Sequence, residues 1–423
     1  MDRQTIKGMR IREEYIKIKH PTGLTVLLYP MQGYSSAYAL FGTKYGSIDR
    51  SFKTQSSGEF ITVPDGIAHF LEHKLFENED GDAFSLFAKT GASANAYTSF
   101  DRTCYLFSCT DNFEQSLDAL LSFVRDPYFT EETVKKEQGI IGQEIRMYRD
   151  DPHWRSFFGL LSALYKVHPV NIDIAGTEES IAQITSEILF DCYNTFYNLN
   201  NMALAIAGNF DPDAAMAVIN KTIKADPEIE ITRADYAESA EIAEQKVSVN
   251  LEVSIPLFTC GYKLSPCDGK DALKKELECA VISECIAGED SEFYRRMYDG
   301  GLINSSFSSE IMFGNGYFIL GFSGESREPE KVFDEIKNET EKIKARGLSE
   351  EDFTRSKKKI YGMVIREWGS VQKVAGNLIT SAFSDTDIYD RIELAANLTL
   401  DGAARTFSEL IAERSAISIV FPK

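Results

Sequence analysis

No stretch of the 423 residues approaches the ~20 consecutive apolar residues that a membrane-spanning helix needs, which excludes a helical membrane protein. The opening, MDRQTIKGMRIREEY, lacks the apolar centre of a secretory signal, and its acidic residues argue against a transit peptide, so a cytoplasmic location is expected. Cysteine is present seven times, at 104, 109, 192, 260, 267, 279 and 285, but never as CxxC. That odd number fits reduced, buried thiols rather than a disulfide scaffold, and makes cysteine a poor candidate for metal ligation. Positive charge is short: 45 Lys and Arg stand against 65 Asp and Glu, a net charge of −20. With a pI near 4.8 the chain repels polyanions and has no basic stripe to neutralise phosphates, which argues against a nucleic-acid partner. Solubility is the plain reading of this acidity, and a preference for basic peptides is the sharper one. Histidine is scarce too, with five in the chain and none after residue 168.

What is present is ordinary for a globular protein, 43% hydrophobic and 26% charged, over a length that suggests two or three domains. Residues 15–49 hold strand-like runs (YIKIKH, LTVLLYP, SSAYALFGTKYGS), and a helix is expected near 65–76. SANAYTS (93–99) and TCYLFSC (103–109) read as a hairpin, followed by helical patterns at 113–125, 130–149, 155–165 and 179–197 and a strand at MALAIAGNF (202–210). The acidic stretch 225–245 reads as a linker. Beyond it the pattern restarts: KVSVNLEVSIPLFTCGYKLSP repeats the early strands, a long helix falls at 270–287, and AISIVFP (416–422) mirrors MALAIAGNF. The expected fold is α+β, two homologous domains, each a mainly antiparallel sheet with helices packed on it. The expected boundaries are 1–224, a linker at 225–245, and 246–423. Because every histidine lies in the first copy, imidazole chemistry is expected only there.

Two of the five histidines stand four apart in HFLEH, residues 69–73. The helix can begin near Asp65, whose carboxylate suits a cap. On it His69 and His73 lie about 40° apart and Glu72 about 60° to the other side of His69, so the three share one face beside an apolar stripe of Ile67, Phe70, Leu71 and Leu75. Two histidines one turn apart can reach one metal, and a glutamate beside them can take a proton from a metal-bound water. The order HxxEH inverts the commoner HExxH of zinc peptidases. A chance match in a chain with so few histidines has a probability of roughly 0.005. A third ligand has to come from elsewhere in the first copy. On a helix opened by Thr130, Glu137 and Glu144 lie seven apart and so on nearly one face; spacing alone leaves both open, and a plain solvated face as well.

HFLEH followed 71 residues after His73 by Glu144, within E-x6-E, resembles the pitrilysin/insulinase family of zinc peptidases, in particular its half-length bacterial branch, similar to the mitochondrial processing peptidase beta subunit. GASANAYTSFDRTCY (91–105), HPVNIDIAGTEESI (168–181) and YNLNNMALAIAGNFDP (197–212) extend the resemblance over nearly all of the first copy and, more weakly, the second. It implies one zinc ion on His69, His73 and Glu144, with Glu72 as general base and Glu137 supporting the site from behind. It also implies that a peptide substrate adds as a strand along Asn95, Ala96, Tyr97 and Thr98. An edge strand with a tight turn is the plain alternative for that stretch.

One segment departs from the family pattern. Relatives carry Arg and Tyr seven apart to hold the substrate and the developing oxyanion. In FYRRMYDGGLINSSF (293–307), Tyr298 stands near the arginine position and Asn304 or Ser305 near the tyrosine, while Arg295 and Arg296 are out of register. Losing an oxyanion donor costs roughly 100- to 1,000-fold in rate. The expectation is therefore a dimer, homodimeric or heterodimeric with a related subunit that supplies the pair, acting on peptides or unfolded segments inside a chamber. The rival is a catalytically silent scaffold subunit of such a complex. A small zinc lyase with the inverted motif is disfavoured by the duplication and the length.

Overall fold

The computed structural model describes residues 2–54, 58–79 and 81–423. Two main sheets carry the fold. The first is built from β1 (Asp2–Lys7), β2 (Glu14–Lys19), β3 (Thr25–Pro30), β4 (Ala37–Thr43), β5 (Ser93–Thr98), β6 (Thr103–Cys109) and β7 (Met202–Gly208), in the order β1-β2-β3-β7-β4-β6-β5. All its pairings are antiparallel except β3 with β7. The second comprises β8 (Lys246–Leu251), β9 (Leu257–Lys263), β10 (Ser308–Gly314), β11 (Tyr317–Glu325) and β12 (Ser415–Pro422), in the order β8-β12-β9-β11-β10, again with one parallel pair, β8 with β12. The second order repeats β3-β7-β4-β6-β5 strand for strand. AISIVFP thus occupies the place of MALAIAGNF, as the restarting sequence pattern implies.

Residue chemistry explains the placement. MALAIAG is buried along its whole length and sits mid-sheet, covered on both faces, as an uninterrupted apolar run should be. SANAYT alternates between exposed and half-buried residues and lies at the sheet edge. Helix α1 (Ile67–Leu75) buries Ile67, Phe70, Leu71 and Leu75 in a core shared with Leu28, Phe41, Tyr105 and Phe107 of the first sheet. Helix α2 (Glu131–Asp150) follows the hairpin β5–β6 and a helix at Phe113–Val124. The helical pattern at 179–197 is broken in two, Glu178–Ile181 and Ser186–Phe196, because Thr177 and Thr185 each cap a fresh start.

The compact units are not the contiguous halves 1–224 and 246–423. One comprises residues 1–145, 173–235 and 366–389, the other 146–172, 236–365 and 390–423. Helix α3 (Pro152–Leu164) lays Phe158, Leu160, Leu161 and Leu164 against β9 and β12 of the second sheet, along with α4 (Gly269–Ala287) on β10. Helix α5 (Val371–Ser384) lays Val374, Ala375, Leu378 and Ile379 against β7 and β4 of the first. Each sheet is completed by a helix from the other half of the sequence. Periodicity reveals an apolar face but not which sheet it covers, so the contiguous reading misses the exchange. No helix among the described residues is long and apolar enough to cross a membrane.

Candidate metal centre

Helix α1 does not start on an Asp65 cap. Its N-cap is Gly66, in the left-handed region at φ 89°, and no side chain caps it. Asp65 instead pairs with Arg50. The reason is close backbone packing: a Cβ on Gly66 would strike the Ala175 carbonyl, a Cβ on Gly176 (φ 73°) would strike the Asp65 carbonyl, and Ser180 Oγ donates to that same carbonyl at 2.8 Å. The DIAGTEES stretch thus braces the start of α1 through two glycines that no other residue can replace without strain.

On the helix so placed, His69 and Glu72 are buried and His73 is partly covered. Thr130 Oγ1 accepts from the Thr133 N–H and opens α2 as expected, and α2 brings both its glutamates to the histidine pair. Glu137 Oε1 lies 3.0 Å from His73 Nδ1. Glu144 spans the two rings, 3.3 Å from His73 Nε2 and 3.7 Å from His69 Nε2. Among the described residues His69, His73 and Glu144 form a group whose donor atoms lie within 4.8 Å of one another. Donors around a tetrahedral zinc with bonds near 2.1 Å stand about 3.4 Å apart, so the two contacts of Glu144 match that spacing.

The two rings differ in their protonation chemistry. Burial lowers His69 to about 4, which keeps its ring neutral at neutral pH, as a ligand must be. Burial also works against the charged form of His73, but the Glu137 and Glu144 carboxylates outweigh it and raise that ring to about 10, so a positive charge is favoured at this spot. Among the described residues His69 Nδ1 is buried without a hydrogen-bond partner. Burial raises Glu72 above the usual carboxylate range, against the opposing hydrogen bond from Thr98.

Asn95, Ala96, Tyr97 and Thr98 do lie on an edge strand, β5, with one row of backbone groups that no strand among the described residues pairs. Asn95 and Tyr97 are exposed; Ala94, Ala96 and Thr98 are half-buried, and the strand packs against α1. Two arrangements escape the sequence reading. Thr98 Oγ1 donates to Glu72 Oε2 at 2.6 Å. Lys74, fully buried, donates to Glu77 at 2.5 Å, and Lys136 of α2 donates to the same carboxylate at 2.9 Å, tying together the helices that carry the histidines and the glutamates. Strand alternation could have signalled the first, and a lysine on the apolar face of α1 the second.

In the 293–307 segment, Arg296 pairs with Glu335 and Glu339, Arg295 donates to the Asp290 carbonyl, and Asn304 donates to Glu325. Tyr298 is 48% exposed and stacked on Tyr294.

Fold and donor set define a class: two-unit α+β proteins with an inverted His-x-x-Glu-His helix and a distant glutamate. A family model described as Insulinase (Peptidase family M16) matches residues 62–178, and one described as Peptidase M16 inactive domain matches residues 183–360. The uncharacterized zinc protease YmfH of Bacillus subtilis (strain 168) is 40% identical over 425 residues, covering 99% of each chain. An uncharacterized zinc protease of Rickettsia felis is 24% identical, covering 97% of this chain and 98% of its own. Among solved structures, a protein described as an M16-like peptidase from Alicyclobacillus acidocaldarius matches with a TM-score of 0.93 at 34% identity, over 100% of this chain and 99% of its own. Pitrilysin matches in fold with a TM-score of 0.75 at 16% identity, over all of this chain and 46% of its own. The chain belongs to peptidase family M16, the insulinase family, and is of half length relative to pitrilysin.

Proposed function

We propose that this protein is a zinc-dependent endopeptidase subunit that hydrolyses peptides or unfolded segments. The convergence of His69, His73 and Glu144 with Glu72 on the same helix face carries the reading. His69, His73 and Glu144 would hold the ion, and Glu137 would fix His73 by accepting from Nδ1–H so that Nε2 faces inward. Zinc held there supplies polarisation of the scissile carbonyl and a lowered pKa for water. Glu72, its proton affinity increased by burial, takes a proton from the attacking water and passes it to the leaving amine nitrogen. The open edge of β5, Asn95 to Thr98, binds the peptide backbone as an added strand.

The arginines and Asn304 of segment 293–307 are engaged within their own unit, which supports a requirement for a partner. We infer a dimer, with a related subunit supplying the Arg/Tyr pair that a second copy of this chain would equally lack, and enclosing the substrate in a chamber. Seven free cysteines fit a cytoplasmic setting. The altered segment also favours a second reading, a silent scaffold subunit.

Metal analysis combined with hydrolysis of a quenched fluorescent peptide library, on the protein and on Glu72→Gln, decides between them. The expected result is stoichiometric zinc in both, with turnover lost by about 10²- to 10⁴-fold in the variant. Zinc without any turnover in the wild type moves the function to the partner-dependent form, tested by adding the related subunit. Absence of zinc overturns the peptidase reading and leaves the scaffold.

A further inference from the structure

A glutamate side chain has three rotatable bonds, so helix α1 by itself does not fix where the Glu72 carboxylate points. The contact that fixes it comes from outside the helix. Thr98, the last residue of β5, donates its hydroxyl to Glu72 Oε2 at 2.6 Å, short for such a bond and in keeping with a charged acceptor. The register sets Thr98 opposite Thr103 of β6. Thr103 is fully buried, and its hydroxyl donates to the Tyr45 carbonyl at 3.0 Å, with the two threonine oxygens 3.3 Å apart. Threonine is stiff at χ1 in a strand, so the donor is itself held. The strand pairing and the stiff χ1, rather than a relayed hydrogen bond, therefore hold the Thr98 donor at the carboxylate.

We propose that Thr98 is a positioning residue, whose hydroxyl anchors Glu72 through Oε2 and leaves Oε1 as the oxygen that takes the water proton. This rests on the peptidase reading given above and deepens it, because the same six-residue strand whose open edge would receive the peptide also aims the base. Substrate docking and base orientation are thereby joined in one element. A Thr98 that merely satisfied a buried carboxylate would affect stability and leave the turnover of folded enzyme unchanged.

The test uses the full-length zinc-loaded protein with the partner, if one is required, and compares Thr98→Val with Thr98→Ser. Thr98→Ala takes the place of valine if valine is not accommodated. The expected result for Thr98→Val is a fall in kcat of about 10- to 100-fold, with KM within about threefold and zinc still stoichiometric. Thr98→Ser, which keeps the hydroxyl, is expected within about threefold of wild type. A second readout needs no activity: a double-mutant cycle of Thr98→Val with Glu72→Ala, by urea unfolding of metal-free protein, is expected to show coupling of about fivefold or more in the unfolding constant. Unchanged kcat in Thr98→Val, an effect on KM alone, a Thr98→Ser variant as impaired as Thr98→Val, or absence of coupling each overturns the proposal. A zinc-loaded wild type without turnover under either condition overturns the peptidase reading and the positioning role with it. An active wild type with an unaffected Thr98→Val overturns the positioning role alone.

Discussion

Glu137 and Glu144 are chemically identical and two helical turns apart, yet they meet the histidine pair on different nitrogens: Glu137 on Nδ1 of His73, Glu144 on Nε2 of both rings. The nitrogen that Glu144 approaches is the one turned toward the shared centre, and the nitrogen that Glu137 approaches is turned away from it. Glu137→Ala is therefore expected to weaken zinc binding by about 10- to 100-fold without removing a ligand, while Glu137→Gln, which still offers an oxygen acceptor, loses less. Chelator competition on the two variants checks this. Much of the candidate site's geometry was legible at this scale: the four-residue spacing of His69 and His73 and the place of Glu72 on their face follow from helix geometry alone. The order of Glu137 and Glu144 did not, because a seven-residue spacing puts both on one face and says nothing of which side of His73 each will meet. Nor did the Thr98 contact, which joins residues 26 apart across a strand and a helix.

At the scale of elements, the segment read as a linker proves to be pinned where it crosses into the second unit. Glu238 accepts from the N–H groups of Lys166, Val167 and His168 and from the buried ammonium of Lys263 at 2.6 Å. Burial opposes its charge, but the Lys263 ammonium and the three N–H donors prevail and hold it at about 2, below the ordinary 4.5. Since the folded value lies below the unfolded one, its contribution is fully present above about pH 4.5 and is lost as pH falls through about 2. Glu238→Ala should cost roughly 3–5 kcal/mol at neutral pH, because it leaves Lys263 buried and unpaired. The gap between wild type and variant should narrow as pH falls from 5 toward 2, read as urea midpoints along a pH series. An acidic, apolar-poor stretch looks like a loose tether in sequence, since a single buried carboxylate leaves no periodic trace.

The whole molecule is a duplication whose halves have exchanged helices: α5 covers the first sheet and α3 the second. Residues 1–235 produced alone would bare the β4 and β7 surface that Val374, Leu378 and Ile379 bury. That fragment is expected to aggregate or to lack near-ultraviolet circular dichroism, and co-production with 236–423 is expected to restore soluble, cooperatively unfolding material. The repeat itself was legible, because strand order and the two mirrored apolar runs recur along the chain. The boundaries were not, because an amphipathic helix announces that it must be covered and not by what.

The exchange also bears on how such a chain can change over generations. After a gene doubles, the copy that carries no histidine would ordinarily be free to erode or be deleted. Here a frameshift or truncation in the later half removes a wall of the earlier one, so loss is penalised whatever the later half itself does. The surface of the histidine-free half can be rewritten while the inheritance of the two halves as a single reading frame stays fixed.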